Sequence, residues 1–269
     1  MANTKNTLFR GGIGLRLWAA LVGAILVAPT LVVIPLSFTG KRSFAFPPEN
    51  WSLQWYRNFF TNPVWRDSLV TSLQIAVAVA VLATVLGTLA ALALDRGRLP
   101  GKALINGLLM APMVVPQIVA AIAVYAAFLS WGLSGTAIGF IMAHTALAVP
   151  FVVVAVSTSL RGYDRRLDRA AAMLGANPFT TFRRVTAPLI APGVLSGAVF
   201  AFVTSLDEVV IAFYLQSPTL HTLPVTMFSS VTVETDPTIA AASSIVLVAT
   251  TALILLPQLL RRTGREGKR

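Results

Sequence analysis

Long apolar runs separated by short polar, mostly basic segments dominate the chain. Residues 17–40, 68–94, 103–160, 185–206 and 237–260 contain no Asp, Glu, Lys or Arg. An α-helix needs about 20 apolar residues to cross roughly 30 Å of hydrocarbon. Each run therefore accommodates one span, and 103–160 accommodates two, divided by the turn-forming cluster Trp131-Gly132-Leu133-Ser134-Gly135. The pattern predicts an all-α polytopic membrane protein with six transmembrane helices, near 17–37, 68–94, 104–129, 136–158, 190–212 and 238–259. These form a single transmembrane domain over residues 1–269. Residues 209–233 also lack those charges, but the polar stretch 216–222 makes this window the end of the fifth span followed by a loop. The first apolar stretch is longer than the roughly 7–15-residue core of a signal peptide, and no clear small-x-small cleavage site follows it, so it reads as a retained anchor.

Composition agrees with this pattern. Of 269 residues, 56% are apolar and 12% charged, with mean hydropathy +0.76. A soluble domain carries about 25% charged residues, so an ordinary soluble enzyme or a disordered chain is excluded. The net charge of +11 changes meaning once the basic residues are placed. One set of loops and termini holds Lys5, Arg10, Arg16, Arg96, Arg98, Lys102, Arg161, Arg165, Arg166, Arg169, Arg183, Arg184, Arg261, Arg262, Arg265, Lys268 and Arg269, which is 17. The other holds Lys41, Arg42, Arg57 and Arg66, which is 4. Basic residues concentrate in cytoplasmic loops. Both termini are therefore expected in the cytoplasm, and the charge reflects topology rather than affinity for nucleic acid. There is no cysteine, hence no disulfide or thiolate chemistry.

The loops differ in kind. In the long loop 39–67, Trp51, Trp55, Tyr56 and Phe59 fall near one face at helical spacing. Such a face serves as an interfacial aromatic belt or as a docking surface. The loop 161–189 is the most structured. Asp164 suits a helix start, and Leu167, Ala170, Ala171 and Leu174 make one stripe at i, i+3, i+4 and i+7. Gly175 suits the left-handed residue after a helix end. Asn177-Pro178 reads as a fresh N-cap with Pro at the first helical position, opening a short helix to about residue 186 ahead of Pro188.

Polar chemistry within the spans is sparse. Asp207 and Glu208 are the carboxylates near a span. A charged side chain in hydrocarbon costs about 2.5–3.5 kcal/mol on insertion scales, so it faces a cavity or a partner. Two readings stand for this pair: attraction of a cationic substrate, or pairing at the outer interface. His144 in the fourth span reads first as a hydrogen-bonded packing residue, and His221 has no metal-like companion. Pro112 and Pro116 kink the third span, and Tyr125 lies further along it; shaping a pathway and simple packing are equal readings here. Gly87, Ala90, Ala91, Gly139 and Ala143 allow close helix packing. No His/Asp/Glu cluster or Ser–His arrangement occupies the spans, so neither a catalytic nor a metal site is expected. The chain also lacks Gly-x-x-x-x-Gly-Lys-Ser/Thr and cannot cradle ATP phosphates itself.

Arg169-Ala170-Ala171 with Gly175, Val185 and Ala187-Pro188 resembles the EAA loop of permease subunits in bacterial ABC importers: Glu-Ala-Ala, three residues, Gly, nine residues, an aliphatic residue, one residue, Leu-Pro. Arg169 stands where the pattern has Glu, and Ala187 where it has Leu. Ser205-Leu206-Asp207-Glu208 and Thr222-Leu223-Pro224-Val225 are similar to stretches of the spermidine/putrescine (polyamine) permeases. The resemblance implies a non-catalytic, multi-pass subunit of the bacterial inner membrane. It implies two ATPase subunits that hold ATP and Mg, this chain holding no cofactor, and a second permease subunit, with a heterodimer expected. It also implies an extracytoplasmic substrate-binding protein. Loop 161–189 would be the coupling helix, touching the ATPase through Ala170, Ala171, Leu174, Gly175 and Pro188. Asp207, Glu208 and Tyr125 would belong to the substrate pathway. The cargo implied is a small cation such as a polyamine; related permeases carry opines, amino-acid derivatives and ferric ion. An ion-coupled secondary transporter, the competing class, calls for internal repeats, and none is evident.

Overall fold

A computed structural model describes residues 13–48, 50–97, 99–233 and 236–266. Its helices run, in chain order, α1 (Ile13–Leu36), α2 (Gln54–Thr61), α3 (Pro63–Arg96), α4 (Lys102–Val114), α5 (Gln117–Ser130), α6 (Ala137–Arg161), α7 (Arg166–Met173), α8 (Pro178–Thr181), α9 (Ala187–Asp207), α10 (Val210–Leu215), α11 (Leu223–Thr232) and α12 (Thr238–Glu266). Among the described residues, strand-type pairing is limited to isolated bridges. Four helices are each long and apolar enough to cross a membrane: α3, α6, the continuous stretch Pro178–Asp207, and α12 over Thr238–Leu255. Two bent pairs, Gly14–Ala28 with Thr30–Leu36 and α4 with α5, raise the number to six if each is one span.

The chain forms two units. The larger comprises Asn62–Ser229 and the residues from Thr250. Its core is the packing of α3, α6 and α9 on one another, through Ile75, Val79 and Ala83, Phe140, Val152 and Val156, and Ile190 and Ala201, all buried. Small residues set how closely these helices approach. A Cβ on Gly87 would stand 2.6 Å from Val152 Cβ, and one on Gly193 would stand 2.2 Å from Ser159 Oγ and 2.8 Å from the Ala155 carbonyl oxygen. The helix starts follow their caps: Asn62 Oδ1 accepts from Val64 N–H with Pro63 at the first position, and Thr136 Oγ1 accepts from Gly139 N–H.

Three elements of this unit differ from the sequence expectation. The third span is not one kinked helix: α4 and α5 meet at 104°. Val115, ahead of Pro116, is extended (φ −68°, ψ 129°), as the ring of a following proline requires, and Pro116 has no N–H to continue the ladder. The fifth span begins earlier and ends sooner than 190–212. A π-turn over Phe182–Thr186 joins α8 directly to α9, and the α-helix stops at Asp207 before α10 resumes at Val210. The loop expected after it contains the apolar helix α11.

The other unit comprises the described residues up to Thr61 together with Ser230–Ala249. Leu15, Leu17, Trp18, Ile25 and Leu26 of α1 are exposed, a bare apolar surface suited to lipid. Tyr56 OH and Ser37 Oγ lie 2.6 Å apart, and Phe38 stacks near Tyr56 and Trp51. The expected aromatic face divides: Trp55 and Phe59 are buried, Tyr56 is half-buried and Trp51 is exposed, so half of it is core. Asn58 Nδ2 donates to Thr238 Oγ1 at 2.7 Å, and Asp236 Oδ1 caps the start of α12 through Thr238 N–H at 2.9 Å.

Candidate functional site

The loop between α6 and α9 folds as its sequence suggests. Asp164 Oδ1 accepts from Arg166 N–H at 2.8 Å and opens α7. Gly175 closes the turn in the left-handed region (φ +81°), where a β-carbon would be strained. Asn177 Oδ1 accepts from Thr180 N–H at 2.8 Å, with Pro178 at the first helical position of α8. The apolar side chains at the turn point outward: Met173 and Leu174 are each 88% exposed and Phe179 72%. Ala170, Gly175 and Pro188 are exposed, and Ala171 is half-buried. Arg166, Arg169, Arg183 and Arg184 of the same loop are exposed, with no ion-pair partner among the described residues. An exposed apolar knob on a loop that also carries four exposed arginines suits a partner rather than water.

Beneath the knob lies a polar brace that the sequence reading missed. Arg96, in the last turn of α3, donates to Asp168 Oδ2 at 3.1 Å and to Thr186 Oγ1 at 2.9 Å. Thr186 Oγ1 in turn donates to Asp168 Oδ1 at 3.2 Å, and the Tyr163 hydroxyl donates to the same oxygen. Arg165 donates to both the carbonyl and the carboxylate of Asp95, each at 2.8 Å. Burial, and then the hydrogen bond to Asp168, push the Tyr163 phenol above its ordinary range. A run of Arg and Asp in a loop signals only solvated charge; their pairing across 70 or more residues is decided by the fold.

At the opposite end of α9, Asp207 and Glu208 part company. Asp207 is exposed and has no hydrogen-bond partner among the described residues. Glu208 is buried, its Oε1 accepting from Ile211 N–H and its Oε2 from Ala212 N–H, both at 2.8 Å. These are N–H groups that an unbroken helix would tie to backbone carbonyls, so the carboxylate replaces the ladder where α9 ends and α10 begins. His144 is buried beside it, with Nδ1 3.0 Å from Ser205 Oγ and Nε2 3.5 Å from Glu208 Oε2, the latter longer than a hydrogen bond. His144 is thus a packed, hydrogen-bonded residue. Tyr125 on α5 is half-buried, its ring 6.2 Å from that of Tyr214 on α10. The row continues through Phe213 to Phe228. Among the described residues, no group of three or more His, Cys, Asp or Glu is arranged to hold a metal ion.

Apolar helices sufficient for four to six spans, a broken helix bearing an exposed carboxylate, and a braced loop with an apolar tip fit a multi-pass membrane protein. Residues 7–265 match the family described as binding-protein-dependent transport system inner membrane component, and the chain belongs to it. It is a non-catalytic, multi-pass permease component of the bacterial inner membrane. It is 34% identical to the spermidine/putrescine transport system permease protein PotC of Haemophilus influenzae over 91% of this chain and 95% of the relative. It is 32% identical to the putrescine transport system permease protein PotI of Escherichia coli over 83% and 82%. The molybdenum transport system permease protein ModB of Mycobacterium bovis is 33% identical over 88% and 90%. The fold is shared with a bacterial ABC transporter involved in the import of the acidic polysaccharide alginate (TM-score 0.63, 15% identity, 92% of this chain and 99% of that one).

Proposed function

We propose that this chain is one of two permease subunits of an ATP-driven importer, with six spans, both termini in the cytoplasm, and a path for a polyamine or similar small cation. Two separate ATPase subunits hold and hydrolyse ATP with Mg, and a substrate-binding protein delivers cargo from outside. The observation that carries the reading is the exposed apolar knob of Met173, Leu174 and Phe179 on the most basic loop, in a chain related to polyamine permeases. Ala170, Ala171, Leu174, Gly175 and Pro188 would meet the ATPase. A helix seated there, leading through α8 and the π-turn into α9, would convert ATPase closure into a tilt of the spans. Relatives named for a polyamine and for molybdenum share the family, so family alone does not select the cargo. The exposed carboxylate of Asp207, about 30 Å along α9 from its start at 1.5 Å per residue, favours a cation. The ring faces of Tyr125 and Tyr214 add to this, since aromatic faces attract ammonium groups. Glu208 would support the path indirectly, by holding the helix break.

Purification in mild detergent tests the assembly. Retention of an ATPase subunit and a second permease is expected, with ATP hydrolysis stimulated by substrate-loaded binding protein. Transport by this chain alone, without ATP, would overturn the importer reading. Uptake of radiolabelled spermidine and putrescine against an anionic control tests the cargo, with Asp207→Asn expected to weaken cation uptake and leave assembly intact.

A further inference from the structure

The helix α7 has no buried residue; its half-buried positions are Asp168 and Ala171. Apolar packing therefore does not set its position. Asp168 does: it is the acidic residue of α7, its side chain 26% exposed, and it accepts from three donors on three different elements. Arg96 belongs to the end of α3, Tyr163 to the turn after α6, and Thr186, fully buried, to the π-turn that feeds α9. Thr186 is itself held by Arg96, so each donor's place depends on the others, and the Arg96 guanidinium lies 6.0 Å from the Tyr163 ring centre. The three anchored elements lead into α3, α6 and α9, the helices that form the core of this unit. A hydrogen bond to a charged group is the strong kind. A carboxylate pulled from three directions resists sliding along any one of them. The Arg165–Asp95 pair adds a second tie to α3, but it is more exposed and contributes little by itself.

We infer that Asp168 is the positioning residue that locks α7 to α3, α6 and α9, so that force applied at Leu174 moves these three spans as one body. This rests on the importer reading, which assigns Leu174 the contact with the ATPase. Asp168 touches neither cargo nor nucleotide in this scheme; it acts through the placement of α7.

The chain has no cysteine, so spin labels on Val81→Cys in α3 and Ala172→Cys in α7 are the sole thiol labels on it. In the full complex in nanodiscs, the distance between them should be single and narrow, with and without ATP. Asp168→Asn should broaden it to several distances, and Asp168→Glu should restore most of the narrow population. In proteoliposomes the Asp168→Asn complex should retain its ATPase subunit and hydrolyse ATP, yet take up about tenfold less radiolabelled spermidine per ATP consumed. Leu174→Asp, by contrast, should lose the ATPase subunit itself. Tyr163→Phe, which removes one donor, provides a milder variant if Asp168→Asn assembles poorly, with a smaller broadening expected. An unchanged label distance in both variants overturns the inference. So does uptake that falls only in proportion to the amount of folded complex, since that is a structural role alone. Loss of ATP dependence in the wild-type chain would instead overturn the importer reading, leaving the label-distance result to judge Asp168.

Discussion

The two adjacent carboxylates should respond oppositely to truncation. Glu208→Ala removes the acceptor for two buried backbone N–H groups, of Ile211 and Ala212, each bonded at 2.8 Å. Hydrogen bonds to a charged group contribute about 1.5–3 kcal/mol each, which sets a ceiling near 3–6 kcal/mol. Relief of the buried charge offsets part of this, so the expected loss is about 2–4 kcal/mol. Glu208→Gln keeps one carbonyl acceptor but turns an amide N–H₂ toward the other backbone donor, for a loss of about 1–2 kcal/mol. Asp207→Ala removes an exposed side chain with no bonded partner among the described residues and should change stability by about 0.5 kcal/mol or less. Unfolding of the purified protein in detergent by a denaturant series, followed by tryptophan fluorescence, measures all three against wild type. Cation uptake completes the comparison: Asp207→Ala should lower it at normal stability. If Glu208→Ala and Asp207→Ala unfold within about 0.5 kcal/mol of each other, Glu208 is not what sustains the break between α9 and α10.

Other outcomes follow from the same geometry. Gly193→Ala places a methyl 2.2 Å from Ser159 Oγ and 2.8 Å from a backbone oxygen, so it should destabilise by about 1–3 kcal/mol, and Ser159→Ala should recover part of the loss in the double variant. Gly175→Val forces a β-branched residue to φ +81° and should weaken retention of the ATPase subunit in pull-down from detergent. Because the Tyr163 pKa is raised in the fold, its phenol still donates at the ordinary pKa near pH 10; that stabilisation is present below this pH and is lost as pH rises through the raised value. An ultraviolet difference titration of wild type minus Tyr163→Phe should show a phenol titrating above the ordinary tyrosine range, and a smaller upward shift in Asp168→Asn; a titration at or below the ordinary range would refute the raised pKa.

Local features of the loop between α6 and α9 were legible because each depends on near neighbours. Gly175, Asn177 and Pro178 perform the turn and cap chemistry their residue types allow. The break in the third span was half legible: Pro116 announces a kink, but a 104° angle between α4 and α5 depends on what each half packs against. The π-turn at 182–186 had no reading in the sequence, since it joins two stretches that periodicity alone treats as helix followed by proline.

The sequence by itself determined the class of protein. Charge-free runs can be buried only in lipid or protein, helices are the economical way to satisfy a backbone there, and basic residues mark one face of the membrane. Tertiary structure decided which polar residues act and which support. Asp207 and Glu208 are chemically near-identical neighbours, and only the turn of the chain between them leaves one exposed and makes the other the cap of the next helix. Asp168 is one more charge in a charged loop until α3, α6 and the π-turn bring Arg96, Tyr163 and Thr186 to it from as far as 72 positions away. Such pairings are properties of the packing, because the partners are set by distance in space and not along the chain.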